Sequence, residues 1–245
     1  MVKVIDAHAH LEEIDNLEEA LKRAQAAGVI AVVAVGSDYS SNIQVLEIWE
    51  KYKNYVYPAL GLHPWELDEN YSKILEQIRS EADKIVAIGE VGLDFKIKTS
   101  KELQIKAFRE VANLAIELDK PLIIHARDAW RKAFEVIVEE GVQKAVFHWY
   151  SGPLDLLAEI EKKGYYISVT PAIEYQRKHI AAVEKFPLDR ILIESDSPVN
   201  YRGKIAEPAD TLISLKGLAK VKNISLEEVA EKVLDNTIKF YSLKI

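Results

Sequence analysis

Residues 17–35 read LEEALKRAQAAGVIAVVAV, and the fold is read outward from this stretch. Leu17, Ala20, Leu21 and Ala24 recur at helical spacing, which gives residues 17–27 one apolar face. Gly28 stands where that helix would stop, because glycine adopts the left-handed conformation that ends helices at little cost. Ile30–Val35 then runs apolar without a break, as a strand does when both of its faces are covered. A helix followed at once by such a strand is part of a repeating strand–helix unit.

The alternation continues in both directions. Val2–Ile5 reads as a strand upstream; Val56–Leu60, Ile85–Ile88, Leu122–Ile124, Ala145–Phe147, Tyr165–Val169 and Ile191–Glu194 read as strands downstream. Ser41–Lys53, Leu67–Ser80, Ser100–Leu118, Asp128–Glu140, Glu174–Glu184 and Glu207–Val221 read as helices, and Gly152-Pro153 opens another with proline at its first position. Ser225 and Glu228 predict a capping box for the last helix, with Ile224 and Val229 placed for a hydrophobic staple. Eight strands alternating with helices and no compositional break predict an α/β chain folded as one (β/α)₈ barrel domain, residues 1–245. The alternative is an open doubly wound sheet, but no glycine-rich phosphate loop follows the first strand.

With 49% hydrophobic and 29% charged residues, the chain has an ordinary globular composition. It contains no cysteine, so any metal must be held by nitrogen and oxygen. A formal net charge of −7 argues against a basic, sequence-reading nucleic-acid module. It is compatible with a nuclease, because bound divalent cations supply the positive charge that phosphates need. No apolar run approaches the roughly 18 residues of a membrane span, and no leader precedes the first strand. A cytoplasmic monomer is expected.

The chemistry-bearing residues gather at strand ends. His8 and His10 follow the first strand, His63 the third and Glu90 the fourth; His125 closes the fifth, His148 the sixth and Asp196 the eighth. Five of the six histidines of the chain are in this set. Parallel barrel strands bring all their C-terminal ends to one rim, where barrel active sites are built. In His8-Ala9-His10 the period-two alternation of a strand puts both imidazoles on one side, able to share a cation. Glu90, central in strand order, is the carboxylate suited to bridge two cations, and Asp196 could ligate one and accept a proton from the attacking water.

Six motifs in order carry a resemblance: Asp6-Ala7-His8-Ala9-His10-Leu11, Gly61-Leu62-His63-Pro64, Gly89-Glu90-Val91-Gly92-Leu93-Asp94, Ile124-His125-Ala126-Arg127-Asp128-Ala129, His148-Trp149-Tyr150-Ser151-Gly152 and Glu194-Ser195-Asp196-Ser197-Pro198. Together with Glu207-Pro208 and the Asn236–Phe240 stretch, they make the whole chain resemble the TatD-type metal-dependent deoxyribonucleases. The resemblance implies a TIM barrel of the amidohydrolase-like superfamily that hydrolyses phosphodiester bonds in DNA with two divalent metal ions. It implies that His8, His10, Glu90 and Asp196 hold one ion, and that Glu90, His125 and His148 hold the other. Such ligands accept Zn²⁺, Mn²⁺, Fe²⁺ or Ni²⁺, while Mg²⁺ is less at home among imidazoles. Two departures bear on substrate preference: the segment after the Gly-Leu-Asp motif is short and basic (Phe95-Lys96-Ile97-Lys98), and Ser195 stands where threonine is usual.

Other residues keep two readings. His63 contacts substrate or braces the rim against Trp65; Arg127 holds a phosphate with its planar donor fork, or pairs with Asp128 or Asp94. Trp149 and Tyr150 stack on a base or, the more common fate, pack in the core. Lys96, Lys98 and Arg202 attract a phosphodiester backbone or, by default, are solvated loop residues; His179 reads as a surface residue, and Asp94 as a partner that orients a ligand. Two other functions stand beside the nuclease. One is hydrolysis of an amide or an aminoacyl-tRNA ester at the same metals. The other is a catalytically silent metal-binding module, against which all six ligand positions are intact.

Overall fold

The computed structural model describes residues 2–245. Eight parallel strands form one sheet in sequence order: β1 (Val4–Ala9), β2 (Val29–Val35), β3 (Val56–Leu62), β4 (Ala87–Asp94), β5 (Leu122–Arg127), β6 (Ala145–Phe147), β7 (Tyr166–Val169) and β8 (Ile191–Ile193). Helices lie between them: α1 (Leu17–Ala27), α2 (Tyr39–Lys51), α3 (Ser72–Ser80), α4 (Lys101–Glu117), α5 (Trp130–Glu140), α6 (Leu157–Lys162) and α7 (Arg177–Lys185). Helices α8 (Thr211–Lys222) and α9 (Leu226–Tyr241) end the chain. This is the expected (β/α)₈ barrel. None of the described helices is long and apolar enough to cross a membrane.

Gly28 ends α1 at φ 105°, as its position predicts. Ser225 caps α9 by accepting from the Glu228 N–H, which is one half of the expected capping box. A short hairpin, β9 (Asn200–Tyr201) with β10 (Lys204–Ile205), follows the eighth strand and was not anticipated.

Between β1 and the segment after β8 the ring closes through a few specific bonds. The Asp196 N–H donates to His8 O at 3.0 Å and the His10 N–H to Ser197 O at 2.8 Å. The fully buried Asp6 carboxylate takes the Ser195 N–H at 2.8 Å and the Ser195 hydroxyl at 2.6 Å. Burial pushes the Asp6 carboxyl up to about 8, against the lowering effect of these bonds.

Inside the barrel the strands contribute one apolar layer, with Val33, Ala59, Ala87, Ile123, Val146, Tyr166 and Leu192 in one cluster. Phe240, Tyr241 and Leu243 join the same cluster from the C-terminal end. The Tyr241 hydroxyl donates to Ala7 O at 2.9 Å, tying α9 to β1. Two residues beyond Ile123, Val146 and Leu192 stand His125, His148 and Glu194. Period two keeps each on the inner face, so a polar layer sits directly on the apolar one.

Strands β1, β3, β4 and β5 run further than the sequence pattern indicates. His8 lies within β1, Glu90 within β4 and His125 within β5, instead of beyond or at the strand ends. Polar residues on the inner face break the apolar run but not the ladder. At Gly92 the chain passes through φ 145°, and a Cβ there would meet His125 O at 2.0 Å, so only glycine lets β4 approach β5 here. Helix α3 begins at Ser72, shorter than Leu67–Ser80, and α7 is preceded by a 3-10 turn over Pro171–Glu174.

His179 is not a surface residue. It is fully buried; its Nδ1 lies 2.7 Å from Tyr150 O and its Nε2 accepts the Thr170 N–H at 3.3 Å. The neighbouring Lys178 is exposed, and helical geometry turns His179 inward. Burial lowers its pKa from 6.5 to about 4, so the ring is neutral in the folded chain and protonates more readily when unfolded. The associated stability, roughly 3 kcal/mol, is present above 6.5 and is lost as pH falls toward 4. His179→Gln should therefore be less stable than wild type at pH 7 and show a shallower loss between pH 6.5 and 4. Urea denaturation at several pH values measures this, and parallel pH slopes would refute the buried neutral ring.

Candidate metal centre

The polar layer places the predicted residues around one buried carboxylate. Glu90 is 3% exposed. Its Oε2 faces His8 Nε2 and His10 Nε2, each at 3.4 Å. Its Oε1 faces His125 Nδ1 at 2.8 Å, His148 Nε2 at 3.2 Å and His63 Nε2 at 3.6 Å. Asp196 Oδ1 lies 3.5 Å from His8 Nε2 and 3.9 Å from His10 Nε2. Side-chain donor atoms of His8, His10 and Asp196 all fall within 4.8 Å of one another, as do those of His63, Glu90 and His125.

Hydrogen bonds on the far side of three of the rings fix their tautomers. His10 Nδ1 lies 3.0 Å from the Val35 carbonyl, an acceptor only, so Nδ1 carries the proton and Nε2 presents a lone pair to Glu90. His148 Nδ1 lies 3.1 Å from Glu194 Oε1, again leaving Nε2 free. His125 is reversed: Nε2 lies 3.3 Å from Asp94 Oδ2, and Nδ1 turns inward. His8 offers Nε2 to the cluster, its buried Nδ1 has no partner in the structure, and its ring stacks on His148 at 4.5 Å.

Lone pairs facing carboxylate oxygens at these distances repel unless a proton or a cation lies between. This donor set therefore fits divalent cations. With protons in that place, the pKa values respond accordingly. Burial opposes the charged form of His10 and of His148, and the carboxylates overcome it: Glu12 and Glu90 hold His10 well above its usual value, and Glu90, Glu194 and Asp196 do so for His148. Burial raises Glu90, yet His148 and His63 together with bonds from His10 and His125 hold it well below the carboxylate range.

His63 differs from the others. Its Nδ1 accepts the Trp65 N–H at 3.2 Å, so the neutral ring carries its proton on Nε2, a donor aimed at the cluster. Burial keeps its pKa below the usual value, despite Glu90. Its ring also meets Trp65 edge-on at 4.9 Å, so the brace and the inward contact coexist. Arg127 pairs with Asp94, Nε to Oδ1 at 3.1 Å and Nη2 to Oδ2 at 2.9 Å, and its half-exposed side chain lines the cavity over the cluster. Asp94 also accepts the Trp65 indole N–H at 2.7 Å, so it orients both His125 and the rim, as expected of it.

The cavity above the cluster measures about 420 Å³ and is walled by Trp65, Arg127, Trp149 and Gln176. Trp149 stands on this wall, its indole N–H donating to Gln176 Oε1 at 2.7 Å, while Tyr150 is fully buried and bonded to Pro153 O. The pair thus divides between rim and core. Lys96 pairs with Asp128 at 2.9 Å, and Arg202 stacks over Tyr175 at 4.1 Å, outside the cavity.

Sequence reasoning missed Glu194, Ser168 and the structural role of Asp6. Glu194 Oε1 takes the Ser168 hydroxyl at 2.7 Å and the Trp149 N–H at 3.1 Å besides facing His148. Its place two residues after the inner-layer Leu192 was the available signal.

A family model for TatD related DNases matches residues 5–242. The chain belongs to the TatD-related DNase family. Over 252 residues it is 33% identical to an uncharacterised metal-dependent hydrolase of Methanocaldococcus jannaschii, covering 100% of this chain and 99% of the relative. It is 32% identical to the human deoxyribonuclease TATDN3 across 98% of this chain and 95% of that protein. The crystal structure of a TatD homologue from Escherichia coli superposes with a TM-score of 0.89 at 28% identity, covering 98% of both chains. As a TatD-family member, the protein is a metal-dependent hydrolase, and its clustered histidines and carboxylates are where metal can bind.

Partners on the far side of a ligating ring typically govern metal affinity by 10- to 100-fold. Glu194→Gln removes the charge behind His148 but keeps an acceptor for its Nδ1–H. Competition with a chromogenic chelator should show metal affinity falling by roughly tenfold or more, within that range. An unchanged affinity would mean that Glu194 does not act on the metal through His148.

Proposed function

We propose that the protein is a two-metal nuclease that hydrolyses phosphodiester bonds in DNA, acting as a cytoplasmic monomer. One observation supports this above the rest: the two oxygens of Glu90 face two separate sets of imidazoles, as a carboxylate shared between two cations does. His8, His10, Asp196 and Glu90 Oε2 would hold one ion; Glu90 Oε1, His125 and His148 would hold the other. The nitrogen-rich set favours Zn²⁺ or Mn²⁺ over Mg²⁺. When bound, two such ions polarise a phosphoryl oxygen and make water nucleophilic near neutral pH.

The side chains supply the rest. Asp196 Oδ1 is turned to the histidines, so Oδ2 takes the proton from the attacking water. The His63 Nε2–H donates to a phosphate oxygen, because its other nitrogen already holds the Trp65 N–H. Arg127, held to Asp94 by two contacts, directs its remaining N–H groups at a second phosphate oxygen. DNA as the substrate is in keeping with the deoxyribonuclease among the relatives.

Asp196→Asn should lower cleavage of a labelled oligonucleotide on the order of 10²–10⁴-fold, the usual cost of losing a general base. Glu90→Ala should abolish cleavage, with the circular dichroism of both variants unchanged. Full activity of metal-reconstituted Glu90→Ala would remove the bridging role. Turnover of a mischarged tRNA or a cyclic amide, with none of the oligonucleotide, would replace the nuclease by the ester or amide hydrolase.

A further inference from the structure

Five nitrogens face one carboxylate beside the metal centre, that of Asp94. Its Oδ1 accepts from Arg127 Nε at 3.1 Å and from the Lys96 N–H at 2.9 Å. Its Oδ2 accepts the Trp65 indole N–H at 2.7 Å, lies 2.9 Å from Arg127 Nη2 and faces His125 Nε2 at 3.3 Å. An ionised carboxylate offers about four lone-pair directions, roughly two on each oxygen. Oδ1 is therefore filled, and Oδ2 has one donor too many. The longest of its three contacts is the one to His125.

Asp94 cannot move to relieve this competition. It is fully buried, and Gln104 clamps its backbone, accepting the Asp94 N–H at 2.8 Å and donating to Asp94 O at 3.0 Å. Its rivals for Oδ2 can move. Trp65 is 55% exposed and the Arg127 side chain 49% exposed, and both wall the metal cavity. The guanidinium lies over the Trp65 ring, 5.4 Å from its centroid. Arg127 spends Nε and Nη2 on Asp94, while Nη1 has no hydrogen-bond partner among the described residues. An anion in the cavity can therefore draw the guanidinium toward itself without disturbing the core.

We infer that Asp94 couples anion binding at Arg127 to the grip of His125 on its metal ion. Without an anion, Arg127 and Trp65 take most of Oδ2 and leave the His125 contact long. A phosphate that pulls Arg127 into the cavity frees Oδ2 for the His125 Nε2–H. A stronger bond behind a ligating imidazole makes its other nitrogen a better donor to the cation. Anion and metal then tighten each other, by the same factor in both directions. The ion is held most firmly while a phosphate is bound, and it exchanges more freely once the phosphate has left. The inference deepens the two-metal reading and rests on it for His125 as a ligand and Arg127 as the phosphate contact.

The test measures Zn²⁺ affinity of the full-length protein by chelator competition, with and without inorganic phosphate, in wild type, Trp65→Phe and Arg127→Met. Phosphate should tighten Zn²⁺ binding by wild type roughly fivefold or more. Trp65→Phe keeps an aromatic ring but removes the indole N–H from Oδ2. Without phosphate it should bind Zn²⁺ about threefold tighter than wild type, a fraction of the change that losing a backing partner outright brings. Arg127→Met should shift in the same direction, and both variants should lose most of the phosphate response. A bracing role for Trp65 predicts the opposite sign, so weaker Zn²⁺ binding by Trp65→Phe would overturn the coupling. So would a wild type indifferent to phosphate, or an undiminished response in Trp65→Phe, which would place the effect in direct contact between phosphate and metal. If wild type binds metal but cleaves no oligonucleotide, the nuclease reading fails by itself, and the Zn²⁺ affinities still decide the coupling.

Discussion

A carboxylate buried inside a barrel is the constraint on which this structure turns. Removing such a charge from water costs several kcal/mol, and Glu90 is almost completely enclosed. What makes it tolerable is that five imidazoles and a second carboxylate share its layer, each within about the reach of a hydrogen bond or a shared cation. The layer cannot be diluted by water or apolar side chains without leaving charge unmatched. Its composition is therefore fixed as a unit.

The barrel supports that layer from below and from the side. From below, an apolar disc of one inner residue from most strands, extended by Phe240 and Tyr241, supplies the hydrophobic burial that offsets a polar interior. From the side, acceptors behind the rings hold each imidazole in one tautomer: Val35 O for His10, Glu194 for His148 and Asp94 for His125. Val35 and Asp94 stand on the strands next to those that carry His10 and His125, and Glu194 reaches His148 from the end of β8, two strands away, so orientation of the rings depends on the assembled barrel. Closure at Asp6 and Ser195 follows this logic, since the bond that joins the first strand to the segment after the last also seats Asp196.

Function then divides between depth and rim. The deep layer is acidic and imidazole-rich, suited to cations and to proton transfer. The rim is aromatic, with Trp65, Trp130 and Trp149 around the opening and Arg127 beside them, held by Asp94.

The amino-acid sequence alone determined the alternation of strands and helices, and with it the barrel and the rim on which His8, His10, His63, Glu90, His125, His148 and Asp196 meet. These are properties of local periodicity, and parallel strands turn them directly into position. Tertiary structure decided what depends on neighbours distant in the chain. It alone showed that His63 presents an N–H where its companions present lone pairs, since that follows from the Trp65 backbone contact. It turned His179 into the core through Tyr150 O and Thr170 N, although exposed Lys178 precedes it. It placed Glu194 behind His148. Hydrogen bonds and charge depend on partners supplied by other strands, and no pattern within a single segment contains them.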